Sequence, residues 1–198
     1  MKVGLLGGSF DPIHNGHLTL ARAALEQLSL DRVYFVLSPL SPFKLTLPLT
    51  PASLRLRMLR LAIRGERKFK VGLWELKRKG PSYTLDTLQD FEKAHPNAEV
   101  YFIMGSDSLR SFPHWRGCKS IVRIAKLIVG LRPGALHVEP EEFLKGALIT
   151  MSGRFPDISS VDLRSRLREG KPIGGLVPPL VEAFIRKSRI YEDPRRPS

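Results

Sequence analysis

Apolar residues along the chain fall into short continuous runs separated by stretches of helical period. Lys2 to Leu6 is a brief apolar run ending at Gly7-Gly8, and from about His17 the positions Leu18, Leu20, Ala21, Ala24, Leu25 and Leu28 recur at helical spacing. The opening therefore predicts strand, polar loop, helix. Val33 to Leu37 is a second β-rich run, leading into a loop with four prolines between Pro39 and Pro51. A loop of that length is a candidate lid or binding segment. Thr50-Pro51, a cap followed by a first-turn proline, predicts a helix with Leu54, Met58, Leu61 and Ala62 on its inner face. Phe69 to Leu76 predicts a third strand, Gly80-Pro81 a turn, Thr84 to Ala94 a helix, and Val100 to Met104 a fourth strand entering Gly105-Ser106-Asp107. Lys126 to Leu131 and Ala147 to Met151 add two strands, and helices are predicted near Ser160 to Arg168 and Pro178 to Lys187.

Continuous apolar strands alternating with helices predict an α/β fold built on a doubly wound parallel sheet, buried on both faces, with a small C-terminal helical part. In such sheets ligands bind beyond the carboxyl ends of the strands, where the winding reverses, so the loops after strands one and four are the first places to look. The 198 residues suit one domain. The expectation is a single domain over 1–198, with 155–198 as its C-terminal helical segment. Neither an internal repeat nor a low-complexity tract interrupts it.

Composition narrows this only in part. Thirty-two basic against nineteen acidic side chains leave a formal charge of +13, which attracts polyanions of any kind. The basic residues are dispersed, so charge alone selects no partner among nucleic acid, anionic lipid and nucleotide. Cys118 is the single cysteine, which excludes an internal disulfide and a cysteine-based zinc site and fits a reducing compartment. The N-terminal apolar run is too brief for a secretory segment, and no other run approaches the ~20 residues of a membrane span. A soluble, cytoplasmic protein with no membrane partner is expected.

The chemistry concentrates in Gly7-Gly8-Ser9-Phe10-Asp11-Pro12-Ile13-His14-Asn15-Gly16-His17. Two glycines after a first strand let backbone approach a phosphate, and the following helix offers free N–H groups and the positive end of its dipole. The stretch lacks the third glycine of the dinucleotide fingerprint and the Gly-Lys-Ser/Thr ending of a P-loop. His14 and His17, three apart at a helix start, can donate to phosphate oxygens. A metal pair, or a capping and packing pair, is the plainer alternative. No third ligand lies nearby, so no protein-ligated metal is expected.

This stretch resembles the signature of the nucleotidylyltransferase superfamily. A second superfamily signature, Ile-Ser-Ser-Thr-x-x-Arg, is answered by Ile158-Ser159-Ser160-Val161-Asp162-Leu163-Arg164, with Val161 in place of threonine. Ser159 with Asp162 three residues on also reads as an ordinary capped helix start. Three further segments are similar to the nicotinate mononucleotide adenylyltransferase family: Glu75 to Leu88 with its Ser82-Tyr83-Thr84-x-Asp86-Thr87 run, Gly105-Ser106-Asp107 with Trp115, and Leu131-Arg132-Pro133-Gly134. Where that family usually shows Pro-Pro-His-Lys, this chain reads Ser41-Pro42-Phe43-Lys44.

The resemblance implies transfer of the adenylyl group of ATP to nicotinate mononucleotide, giving nicotinate adenine dinucleotide and pyrophosphate. It implies catalytic roles for His14, His17, Lys44 and Arg164. ATP would be bound by Gly7, Gly8, Ser9, Phe10, His14, His17, Gly105, Asp107, Ile158, Ser159, Ser160 and Arg164. Nicotinate mononucleotide would be bound by Ser9, Lys44, Tyr83, Thr84, Trp115 and Arg132. Mg²⁺ would be carried mainly by the ATP phosphates. Within the class, an adenylyltransferase for nicotinamide mononucleotide or phosphopantetheine is the alternative. His14 and the Ser-Tyr-Thr-x-Asp-Thr run argue against phosphopantetheine. From another class, a basic nucleic-acid-binding protein on the same fold would need a contiguous basic face with interleaved aromatics, and the charges here are scattered. The sequence specifies no oligomeric state.

Overall fold

In the computed structural model, residues 1–40, 42, 49–131 and 141–192 are described. The chain runs β1 (Lys2–Gly8), α1 (Asn15–Gln27), β2 (Arg32–Leu37), α2 (Ala52–Ala62), β3 (Phe69–Gly72), α3 (Thr84–Ala94), β4 (Glu99–Gly105), α4 (Ser106–Ser111), α5 (Cys118–Ile124), β5 (Ala125–Gly130), β6 (Leu148–Met151), α6 (Ser160–Arg168) and α7 (Pro179–Ser188). The strands form one six-stranded sheet in the order β3-β2-β1-β4-β5-β6, every neighbouring pair parallel. This is the Rossmann-like, doubly wound arrangement. The first half winds outward from β1 through β2 and β3, and the second from β4 through β5 and β6. The reversal falls between β1 and β4, which opens a crevice at their carboxyl ends.

Both faces of the sheet are buried, which is why its strands read as continuous apolar runs instead of alternating ones. The alternation is there, but divided between two cores. On β4, Tyr101 and Ile103 join Leu6, Phe35 and Ile128 in the core covered by α1, α2, α6 and α7. Val100, Phe102 and Met104 face the other way with Val3, Leu5 and Val129, under α3 and α5. Val181, Ile185 and Tyr191 belong to the first core, so the C-terminal helices cover the sheet.

Three elements depart from the sequence pattern, in two places. The third strand stops at Gly72, short of the predicted Leu76, and the chain turns into a single 3₁₀ turn at Glu75–Lys77. The cause is Trp74, whose ring folds back over Gly72, where a Cβ would lie only 2.3 Å from Cζ3 of the indole. There the indole packs against Tyr34 and Phe91, with centroids 5.3 Å and 5.5 Å away. On an edge strand, burying a large aromatic outweighs another rung of ladder. The second departure is α4 and α5, which the apolar pattern does not announce. They are six and seven residues long, too short to display a period.

Candidate active site

The loop leaving β1 is buried: Phe10, Asp11 and Ile13 are at most 1% exposed. His14 caps α1 in an extended conformation (φ −143°, ψ 169°), and its ring is almost wholly enclosed. Gly16 makes that placement workable, because a Cβ there would come 3.0 Å from His14 Nδ1. The imidazole of His17 stacks on that of His14, with centroids 3.7 Å apart and planes 28° from parallel. His17 Nδ1 accepts from the backbone N–H of His14 at 3.3 Å. In the neutral ring the proton therefore sits on Nε2. Phe10 lies edge-on beneath His17 at 5.1 Å. It supports the histidine from within the core and does not line the cleft described below.

Under this loop lies a polar network that no local sequence pattern announces. Arg55 of α2 is 1% exposed and donates to four carbonyls, those of Thr50, Ser9 and Ser38 at 2.7 Å and of Pro39 at 3.0 Å. Burial lowers its pKa, and the Asp11 charge acts in the opposite sense. Asp11 in turn accepts from the Tyr191 hydroxyl at 2.7 Å and from the Thr50 backbone at 3.2 Å. Burial and that carboxylate push the phenol well above its ordinary range. The buried face of α2 is thus Arg55, Met58, Leu59 and Ala62: Met58 and Ala62 are there as predicted and Leu61 packs half-buried against the core, while Arg55 and Leu59 take the innermost places in its stead and in that of Leu54. A charged residue occupies a core position because backbone oxygens surround it.

The start of α6 is seated against the same loop. Ser160 Oγ donates to the carbonyl of Pro12 at 2.9 Å, and Arg164 to that of Asp11 at 2.7 Å. Ser159 is the N-cap, its hydroxyl accepting from Asp162 N at 3.0 Å. Val161 points outward and is 58% exposed.

The cleft over the strand ends has two lobes that share Gly7, Phe102, Asp107, Ser108 and Trp115. The smaller, about 160 Å³, is lined by His14, His17, Gly105 and Ile158. The larger, about 490 Å³, takes in Gly8, Ser9, Tyr83, Thr84 and Arg116. The histidine pair lines the smaller lobe and is absent from the lining of the larger. Trp115 stands half-buried between the lobes, its Nε1 donating to Ser111 Oγ at 3.1 Å and its ring edge-on to Phe102. Ser82 Oγ is buried at the larger lobe and has no hydrogen-bond partner among the described residues.

Of the residues singled out in the sequence, Gly7, Gly8, Ser9, His14, His17, Tyr83, Thr84, Gly105, Asp107, Trp115 and Ile158 line this cleft. Ser159, Ser160 and Arg164 are not in its lining; Ser160 and Arg164 bond the loop after β1, and Ser159 caps α6. Lys44 and Arg132 fall outside the described residues, as does Phe43. Arg55, Tyr191 and Arg116 emerge from the structure alone. The first two act through partners remote in sequence, and the third lies beside a tryptophan that drew the attention.

The parallel sheet with its paired-histidine helix start at the switch point is the framework of a nucleotidyltransferase. The chain belongs to the cytidylyltransferase-like family, whose profile matches residues 5–166. Over its full length it is more narrowly similar to one branch of that class. It is 40% identical over 214 aligned residues to a probable nicotinate-nucleotide adenylyltransferase of Pelobacter propionicus, covering 98% of this chain and 99% of that one. It is 37% identical over 197 residues to the Clostridium tetani protein of the same description, covering 96% and 98%. Among solved structures it superposes on Plasmodium falciparum nicotinic acid mononucleotide adenylyltransferase complexed with NaAD, with a TM-score of 0.79 at 25% identity over 96% of this chain and 97% of the other. The same enzyme complexed with APC gives a TM-score of 0.77. No helix among the described residues is long and apolar enough to cross a membrane.

Proposed function

We propose that this chain, acting as one domain, transfers the adenylyl group of ATP to nicotinate mononucleotide. The products are nicotinate adenine dinucleotide and pyrophosphate. The observation that carries this reading is the stacked His14–His17 pair lining the smaller lobe, which shares Gly7, Asp107 and Trp115 with the larger one. An adenosine in the small lobe, with its ribose hydroxyls on Asp107, brings its α-phosphate to the pair. A pyridine nucleotide in the large lobe, its ring against Trp115, brings its phosphate to the same point.

The reaction is an in-line displacement. A phosphate oxygen of the mononucleotide attacks the α-phosphorus, a new P–O bond forms, and the bond to the bridging oxygen breaks with both electrons leaving on pyrophosphate. The attacking phosphate is already anionic at neutral pH, so no general base is required. The protein's part is to align two anions and to neutralise charge that grows in the transition state. His17 Nε2–H serves that role, with Ser9 and the glycines allowing close backbone approach. The α6 start holds the loop through Ser160 and Arg164, and Lys44 and Arg132 would add cationic contacts to the substrates. Mg²⁺ fits as a passenger of the triphosphate: among the described residues no group of three His, Cys, Asp or Glu converges as a protein cage. When bound, it would neutralise phosphate charge. The nicotinate carboxylate suits backbone N–H groups at the start of α3, where Tyr83 and Thr84 open into the lobe. A soluble cytoplasmic setting suits both substrates.

The test is pyrophosphate release from ATP with each mononucleotide in turn. Release that depends on nicotinate mononucleotide supports the reading. Release driven by the amide alone, or by neither, would contradict it.

A further inference from the structure

We infer that Arg116 sets the preference of the larger lobe for an acidic over a neutral pyridine. This inference rests on the acceptor assignment above. Among the described residues lining that lobe, Glu75 and Asp107 carry negative charge, and Arg116 is the permanently cationic side chain. A carboxylate acceptor entering beside two anionic groups needs a compensating cation, whereas an amide does not. Glu75 is 6% exposed and its oxygen accepts from Thr87 Oγ1 at 2.8 Å, so its carboxyl group is held in the wall of the lobe.

Arg116 is held where it can answer this. Its guanidinium lies over the Tyr83 ring, 4.5 Å from the centroid, and forks toward Asp86 with contacts of 3.2 Å and 3.5 Å. Tyr83 is the N-cap of α3 and Asp86 lies in its first turn, so the arginine is anchored to the helix start that receives the pyridine. The side chain is 56% exposed, which leaves it free to shift and share its fork between Asp86 and a ligand carboxylate. Asp86 tempers the arginine. It offsets the cation in the empty lobe and competes with the ligand for it. Ser82, with its buried hydroxyl unsatisfied among the described residues, is a second polar group at the same end.

The test is the ratio of kcat/KM for nicotinate over nicotinamide mononucleotide, measured at saturating ATP for wild type, Arg116→Gln, Arg116→Lys and Asp86→Asn. Arg116 is on the surface, so circular dichroism should show all four folded. Arg116→Gln should lower the ratio about tenfold through loss on the acid, the scale of one charge-assisted hydrogen bond. Arg116→Lys should keep most of the ratio, and Asp86→Asn should raise it severalfold. The arginine effect should shrink as salt is raised, because the group is exposed. Equal losses on both acceptors would mean that Arg116 grips the phosphate or props the loop, and would overturn the inference. So would an unchanged ratio. Absence of pyrophosphate release by wild type with either acceptor would instead overturn the underlying reading, and this inference with it.

Discussion

A Cβ at Gly16 would lie 3.0 Å from His14 Nδ1 and 3.2 Å from its Cε1, so alanine there must displace the ring on which His17 stacks. Alanine is the better helix former by up to ~1 kcal/mol, which offsets the crowding in stability but not in geometry. Gly16→Ala should therefore lower kcat about tenfold while the thermal midpoint hardly moves. His17→Ala, which removes the proposed donor, should lower kcat by roughly a hundredfold or more. Steady-state kinetics beside a thermal melt check both, and a Gly16→Ala enzyme with full turnover would deny the glycine its part. Arg55 makes a contrasting case. Arg55→Met leaves four carbonyls without their donor and should cost at least ~3 kcal/mol in urea unfolding. The histidine loop was legible because its residues are adjacent and its chemistry local. The network beneath it was not. Tyr191 and Asp11 stand 180 residues apart, and an arginine in a helix reads as solvent-facing until the oxygens around it are seen.

At the scale of elements, α6 is the clearest case of a helix whose start does two jobs. Its N-cap bond from Asp162 N to Ser159 Oγ stabilises the helix, and the next residue, Ser160, ties it to the loop after β1. Ser159→Ala should cost about 1 kcal/mol of stability, the usual worth of a serine cap, read as a lowered urea midpoint with an unchanged slope. A change below about 0.3 kcal/mol would mean the cap is redundant. The strands of the sheet were readable as apolar runs, and α1, α3, α6 and α7 from period and caps. What was hidden had a physical reason in each instance. The third strand ends where Trp74 finds a better burial than the sheet edge offers, and α4 and α5 are single-purpose turns between Gly105 and Ala125 that carry Asp107 and frame Trp115. They are positioned by β4 and β5, not by a pattern of their own.

Across the whole molecule, two buried phenols make stability depend on alkaline pH. Tyr101 donates to Glu99 at 2.7 Å, and burial together with that carboxylate pushes its pKa up to about 12, while burial beside Asp11 raises Tyr191 as well. An unfolded tyrosine loses its proton near pH ~10. The folded state then binds the proton more tightly, so this stabilisation is complete below about pH 10; as pH rises from about 10 to about 12 the share of Tyr101 is lost, and that of Tyr191 begins to fall over the same window. Urea midpoints should fall over that window, and Tyr101→Phe should flatten part of the slope. A midpoint constant through it would contradict the burial of both hydroxyls. The proposed reaction brings two anionic substrates together, for which the charge of +13 is a counterpart. The most direct measurement of that meeting follows label from ATP carrying ³²P at the α position, incubated with nicotinate mononucleotide and Mg²⁺. Adenylyl transfer predicts that the label appears in the dinucleotide, mole for mole with unlabelled pyrophosphate. Label left in ATP, or recovered as AMP with no dinucleotide formed, would contradict it.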